Sequence, residues 1–205
     1  MRSTQTTAPK NAPAETPFLS DVTELRRRAR EHIENGALTP SYLANKEVVL
    51  NLLNDALATE LVCVLRYRRH YFMAEGLLAE AVKKEFLVHS TEEQAHADRI
   101  AGRIVQLGGE PDFDPKGLLT RSHSEYVPGA SLESMIKEDL VAERVAIESY
   151  GEMINYLGDR DHTTRRMFED ILAVEEEHAE ELSSMLKNLR GPTRGQPPVR
   201  TAAGA

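Results

Sequence analysis

Two glutamate–histidine pairs, Glu93–His96 and Glu175–His178, repeat the spacing Glu-x-x-His in this 205-residue chain. Side chains three apart in an α-helix leave from one face, so each pair can grip a single metal ion. Two further glutamates, Glu60 and Glu143, precede the pairs by 33 and 32 residues. Four carboxylates and two neutral imidazoles make a donor set for two divalent cations, whose charge balances that of the glutamates. Mixed carboxylate and imidazole shells with open positions suit iron first and manganese second, and two such ions can pass electrons to O2 or H2O2.

The chain has 33 acidic residues, so a glutamate carries meaning only through the helical face it occupies. Glu60 interrupts the apolar stripe Val49, Leu53, Ala56, Leu57, Val64, Tyr67, Tyr71; Glu93 and His96 interrupt Val82, Phe86, Ile100, Ile104, Leu107. Glu143 sits within Ile136, Leu140, Ile147, Tyr150, Ile154, Leu157, and Glu175 and His178 within Phe168, Ile171, Leu172, Leu182, Met185, Leu189. A carboxylate drawn from water into such a stripe costs several kcal/mol or takes up a proton, and four at one level repel one another. Two divalent cations remove both difficulties. The plainer alternative is a bundle core of salt bridges, which a single Glu-x-x-His in a charged helix would not outweigh but the matched set of six does. Glu92, Glu148, Glu176, Glu177, Glu180 and Glu181 fall mostly off the stripes and read as solvated.

The elements that must position these residues are helical, since no segment alternates with period two for long enough to read as a strand. A short helix is expected over Asp21–Asn35, capped by Ser20 or Asp21 and ended by Gly36. Four long ones follow: Asn45 to Ala74; Leu78 to Gly108-Gly109; one from the cap-like Ser131-Leu-Glu-Ser134 to Gly158; and one from Asp161 or Thr163 to Leu189, halted by Gly191-Pro192. The short joints within the first and the second pair predict antiparallel hairpins. More than twenty residues, Gly108 to Ala130, separate the pairs and are long enough to cross a bundle from end to end. The expected fold is all-α, a four-helix bundle with one long crossover, with the two hairpins facing each other about a pseudo-twofold axis. It divides as a disordered tail over 1–17, a short helix and linker over 18–43, the bundle over 44–190, and a disordered tail over 191–205.

Composition narrows the function classes. A net charge of −8 argues against a surface that binds nucleic acid over its whole area and fits one that attracts cations. The single cysteine, Cys63, excludes an intramolecular disulfide framework and a cysteine-rich zinc or iron–sulfur site. No apolar run approaches the ~20 residues that span a bilayer, and the first residues lack the apolar stretch of a secretory signal, so cytoplasmic residence is expected.

Four segments, Leu-Leu-Asn-Asp-Ala-Leu-Ala-Thr-Glu60, Glu-Glu93-Gln-Ala-His96-Ala-Asp98, Glu-Asp-Leu-Val-Ala-Glu143 and Ala-Val-Glu175-Glu-Glu-His178, stand in order at set spacing. Over residues 44–189 the chain resembles the bacterioferritin branch of the ferritin-like family. That resemblance implies a ferroxidase centre of two iron ions within one subunit, Glu93 and Glu175 bridging, Glu60 and Glu143 terminal, and one histidine on each iron. It also matches Tyr67 to a tyrosine beside the centre, against its reading as an ordinary core aromatic. Bacterioferritins ligate haem through a methionine directly after the first Glu of the first pair; Gln94 stands there, so no haem of that type is expected. In place of the apolar fifth helix of twenty-four-subunit bacterioferritins stands Gly191-Pro-Thr-Arg-Gly-Gln-Pro-Pro. The long crossover offers Arg121-Ser-His-Ser-Glu-Tyr126 for a short extra helix, as in Dps-like mini-ferritins. The resemblance therefore leads to a Dps-like homo-oligomer with a bacterioferritin-type site, a dodecameric cage ahead of a twenty-four-subunit cage or a dimer.

Other features read as structural. The basic run Arg26–Arg30 has Glu24, Glu31 and Glu34 nearby and reads as a solvated helix face rather than a DNA contact. His70, His89, His123 and His162 read as surface or packing residues and Cys63 as a buried filler. The function expected is a ferroxidase that oxidises Fe(II) with O2 or H2O2 and stores the product. The alternatives are a non-storage dimetal enzyme, such as a manganese catalase or a rubrerythrin-like peroxidase, and a DNA-protecting protein of the Dps kind. The rubrerythrin option is weakened by the lack of a Cys-x-x-Cys module.

Overall fold

The computed structural model describes residues 21–76 and 79–190, which fall into two compact units that divide between Ser41 and Tyr42. The expected tails over 1–17 and 191–205, the possible cap Ser20, the Leu78 start and the Gly191-Pro192 stop lie outside the described residues. The first unit holds helix α1, Val22–Arg28, with the Asp21 carboxylate accepting from the Thr23 N–H at 2.6 Å. This corrects the longer helix expected to Asn35. Arg30 and Glu31 already donate backward to Arg27 and Arg28 in tighter turns, His32 has φ 52°, and a 3-10 turn covers Ile33–Asn35. No residue of α1 is buried, so no packed face supports further turns. Arg27 is held between Glu24 and Glu31, and Arg30 donates to the Arg26 carbonyl, which makes this run a self-paired, exposed surface.

The second unit is built from α2 (Lys46–Met73), α3 (Ala79–Gln106), α4 (Leu118–Arg121), α5 (Leu132–Leu157) and α6 (His162–Arg190). No strand occurs among the described residues. The ends follow local chemistry. Asn45 Oδ1 accepts from the Val48 N–H at the start of α2, and Ser131 and Ser134 form a reciprocal capping box at the start of α5. At the end of α3, Gly108 at φ 69° donates to Val105 and Gly109 to Ile104, the paired bonds of a Schellman stop. A Cβ on Gly109 would lie 2.5 Å from Leu50 Cδ2, so a larger residue at this close approach to α2 would have to displace the Leu50 side chain.

α2 packs along α3 and α5 along α6, with α2 also against α5 and α3 against α6. The crossover lies on α2 and is fixed to it residue by residue. Asn54 accepts from the Asp112 N–H at 2.8 Å, Thr59 Oγ1 from the His123 N–H at 3.0 Å, and Arg66 donates to the Glu125 carbonyl at 3.0 Å. His70 Nε2 donates to the carbonyls of Val127 and Pro128, both at 3.1 Å. The crossover thus travels the same way as α2 and delivers α5 antiparallel to it. Its short helix lies at Leu118–Arg121, just ahead of the expected Arg121–Tyr126, because Leu118 is the buried anchor and packs on Ala58 and Val62.

Contrary to the expectation from apolar run length, α2 is by length and composition apolar enough to cross a membrane. Half of its most apolar stretch is buried in the bundle, and the helix buries Glu60 and Arg66, which suits a core helix.

Asp161 locks the start of α6. It accepts from the Thr164 N–H at 2.9 Å, the Thr164 hydroxyl at 2.6 Å, Tyr42 OH at 2.8 Å and Arg103 Nη2 at 2.9 and 3.1 Å. Burial pushes its carboxyl up, but the bonds from Thr164 and Tyr42 and the Arg103 charge outweigh that and hold it below the usual aspartate range. A depressed folded-state pKa means stability present above the unfolded value, near ~4, and lost as pH falls through the folded one. Asp161→Asn is therefore expected to cost about 2 kcal/mol at pH 7, with the gap to wild type closing below about pH 4 in urea titrations. A gap that stays constant down to pH 3 would refute this account.

Candidate metal centre

Glu60, Glu93, His96, Glu143, Glu175 and His178 meet at one level of the bundle, and none is more than 4% exposed. Each helix contributes what its stripe predicts: α2 and α5 a glutamate each, α3 and α6 a Glu-x-x-His pair each. The site is closed on both sides. Phe86, Ile136 and Leu182 pack toward one end, and Leu53, Leu57, Ile100 and Ile104 are fully buried toward the other.

The donors sort into two sets with donor atoms mutually within 4.8 Å, Glu60/Glu93/His96/Glu175 and Glu93/Glu143/Glu175/His178. Glu93 and Glu175 are common to both, the arrangement that two ions sharing bridging carboxylates require. His96 Nδ1 lies 3.0 Å from Glu175, 3.4 Å from Glu60 and 3.5 Å from Glu93; His178 Nδ1 lies 3.6 Å from both Glu93 and Glu175. Donors bound at ~2.0–2.2 Å to one ion sit about 3.0–3.5 Å from one another, so these separations are those of a coordination shell. Seven buried donor atoms have no hydrogen-bond partner and face this space: Glu60 Oε2, Glu93 Oε1, His96 Nδ1, Glu143 Oε2, both Glu175 oxygens and His178 Nδ1. Buried polar atoms are almost always partnered, and seven convergent orphans fit a dinuclear centre.

The charges of these side chains follow from their burial and from one another. Burial and the charge of Glu93 push the Glu60 carboxyl up to about 8, and burial with Glu93 and Glu175 pushes Glu143 well above its ordinary value. Burial lowers both histidines, yet the close carboxylates of Glu175, Glu60 and Glu93 carry His96 up to about 12, and those of Glu175 and Glu93 carry His178 up to about 11. Burial and neighbouring carboxylates raise Glu93 and Glu175, but the two adjacent imidazoles, with Glu60 and Glu143 respectively, leave them below the usual glutamate range.

The surrounding groups are tied in pairs. Tyr67 on α2 donates to Glu143 Oε1 on α5, and Tyr150 on α5 donates to Glu60 Oε1 on α2. Tyr150 reads as plain core in the sequence, although its offset of seven from Glu143 repeats that of Tyr67 from Glu60. His89 is fully buried, stacks on His178 at 4.0 Å, and bonds Tyr67 OH at 3.2 Å and Glu181 Oε2 at 2.9 Å. It lies seven residues before His96, two turns along the same face, and that spacing was the available signal. Glu92 and Glu181 are half-exposed rather than simply solvated: Glu92 bonds His178 Nε2 at 2.9 Å and so fixes the ring with Nδ1 inward. His70 is buried and bonded to Asp139 and the crossover carbonyls, His123 bonds Ser149 at the surface, and His162 is exposed. Cys63 is buried beside Arg66, and burial pushes its thiol well up.

Comparison with known proteins agrees with this geometry. Residues 50–191 match the family model for the ferritin-like domain. Bacterioferritin of Desulfovibrio desulfuricans is 28% identical over 148 residues, covering 70% of this chain and 79% of the relative. The DNA protection during starvation protein of Pyrococcus furiosus is 33% identical over 135 residues, covering 64% and 73%. Among solved structures, the bacterioferritin-related dodecameric thioferritin of Bacteroides fragilis superposes with a TM-score of 0.70 at 31% identity, covering 72% of this chain and 89% of that one.

Proposed function

The chain belongs to the ferritin-like family, and on that footing we propose that it is a ferroxidase that oxidises Fe(II) to Fe(III) at the buried carboxylate centre and stores the product. The observation that carries this reading is the set of seven unpartnered donor atoms turned into one space. Two Fe(II) substrates give up one electron each, and O2 is reduced to H2O2, or H2O2 to water. Glu60 and His96 would hold one ion and Glu143 and His178 the other, with Glu93 and Glu175 spanning both. Tyr67 and Tyr150 orient the terminal carboxylates, and Glu92 holds His178 for ligation. The closed apolar flanks keep bulk water from the reacting ions.

A homo-oligomeric cage in the cytoplasm is part of the proposal. Leu65, Phe72, Met73 and Val88 stand exposed on α2 and α3, an apolar area that association would cover. The resemblance to a protein described as a dodecamer supports twelve subunits over other sizes.

The test is stopped-flow absorbance of anaerobic protein given two Fe(II) per chain, then O2 or H2O2. A fast ferric phase is expected, at least about a hundredfold faster than in the Glu93→Ala/Glu175→Ala variant. A wild type no faster than buffer with either oxidant would overturn the ferroxidase and leave a manganese enzyme as the better reading.

A further inference from the structure

Helix α1 has seven residues, and none of them is buried. An isolated helix that short is marginal in water, so its persistence calls for a surface that covers one face. At about 100° per residue, Val22, Leu25 and Ala29 fall on one stripe, with Val22 56% and Leu25 41% exposed. Glu24, Arg27 and Glu31 lie on the opposite side, where Arg27 pairs with both acids. Arg26 and Arg30 flank the apolar stripe one turn apart. Arg26 has no carboxylate partner among the described residues, and Arg30 holds only the Arg26 carbonyl.

The second unit carries a groove of about 640 Å³ between α2 and α5. Val48 and Leu52 of α2 and Val141 and Val145 of α5 make it apolar. Glu148 and Glu152 stand along it one turn apart on α5; both are exposed, and neither has an ion-pair partner among the described residues. Arg144 also lines the groove, so two carboxylates against one guanidinium leave the lining negative. Glutamates at i and i+4 beside an apolar floor match a helix that presents an apolar stripe beside arginines at i and i+4.

We infer that α1 of one copy docks in the α2–α5 groove of a second copy, Leu25 on the apolar floor and Arg26 and Arg30 paired with Glu148 and Glu152. Residues 29–45 join α1 to α2 and span at most ~60 Å, enough to hand α1 to a neighbouring chain. Val48 and Leu52 lie on another face of α2 from the exposed Leu65 and Phe72, so the groove stays open when that patch is covered. The docking rests on the homo-oligomer reading for its second copy and adds a clip between subunits to it.

The experiment co-expresses Leu25→Cys and Val145→Cys chains in a Cys63→Ser background, one of them size-tagged, and reads cross-links on a denaturing gel after oxidation. A covalent pair of one chain of each kind is expected, and Arg26→Glu/Arg30→Glu on the first chain should cut it about tenfold. Glu148→Arg/Glu152→Arg on the second chain should then restore it. No mixed pair, in a protein that sedimentation shows to be oligomeric, overturns the docking and leaves the homo-oligomer standing. No mixed pair and a sedimenting monomer overturn both. A cross-link that forms only when one chain carries both cysteines assigns the groove to that chain's own α1 and overturns the second-copy docking. A mixed pair unmoved by charge reversal overturns the arginine–glutamate recognition.

Discussion

Two equivalents of Zn(II) per chain are expected to raise the melting temperature by about 10–20 °C and to release about four protons near pH 7. An ion held at a hundred times its Kd stabilises a fold by about 2.7 kcal/mol, so two contribute about 5 kcal/mol. For a chain of this size each kcal/mol moves the midpoint by about 2–4 °C. The protons come from Glu60, His96 and His178, carried up to about 8, 12 and 11, and from Glu143, which burial and the Glu93 charge hold well above its ordinary value. With about two protons displaced per ion, apparent affinity should fall about a hundredfold for each pH unit lost between 7 and 6. Calorimetry in buffers of different ionisation enthalpy counts those protons, and thermal scans with and without Zn(II) give the shift. Glu93→Ala removes a donor common to both ion positions and should erase most of the rise. An equal rise in that variant would place the stabilising ions elsewhere.

The second large effect lies away from the metal, where the crossover meets the bundle. Arg66 and Asp139 are both buried and pair at 2.8 Å; His70 Nδ1 meets the other Asp139 oxygen at 2.8 Å. Arg66 and His70 also hold the carbonyls of Glu125, Val127 and Pro128, so three residues join α2, α5 and the crossover. Arg66→Met should cost about 3–5 kcal/mol, because it leaves the Asp139 charge buried with one partner gone and a crossover carbonyl unbonded. Arg66→Met/Asp139→Leu should recover part of that loss, since removing both charges leaves no isolated ion. Urea melts of the two variants decide it: a single variant within about 1 kcal/mol of wild type would show that water or rearrangement satisfies Asp139. This clamp sets the crossover's path, and through α5 it sets the height of Glu143 against Glu60.

Much of this architecture is legible from the chain alone, because it rests on local rules. Helix ends follow Asn45, the Ser131–Ser134 box and Gly108-Gly109, whose bonds lie within a few residues. The six central residues stand out because a carboxylate inside a 3.6-residue apolar stripe conflicts with its surroundings wherever the helices later pack. The length of 108–130 fixes the crossover in the same local way. Where no packed face supports a helix, local signals overreach, and α1 ends at Arg28 instead of Asn35.

Only the tertiary structure decides which distant groups meet. Tyr150 and Glu60 are separated by 90 residues, and His89 and Glu181 by 92, and no periodicity within one helix encodes either contact. Asp139 and Glu138 look alike as letters, yet Asp139 is buried between Arg66 and His70 and its neighbour is not. The physical reason is that burial and bonding of a polar side chain depend on what the opposite helix presents at that height, which is fixed by the packing of four helices together.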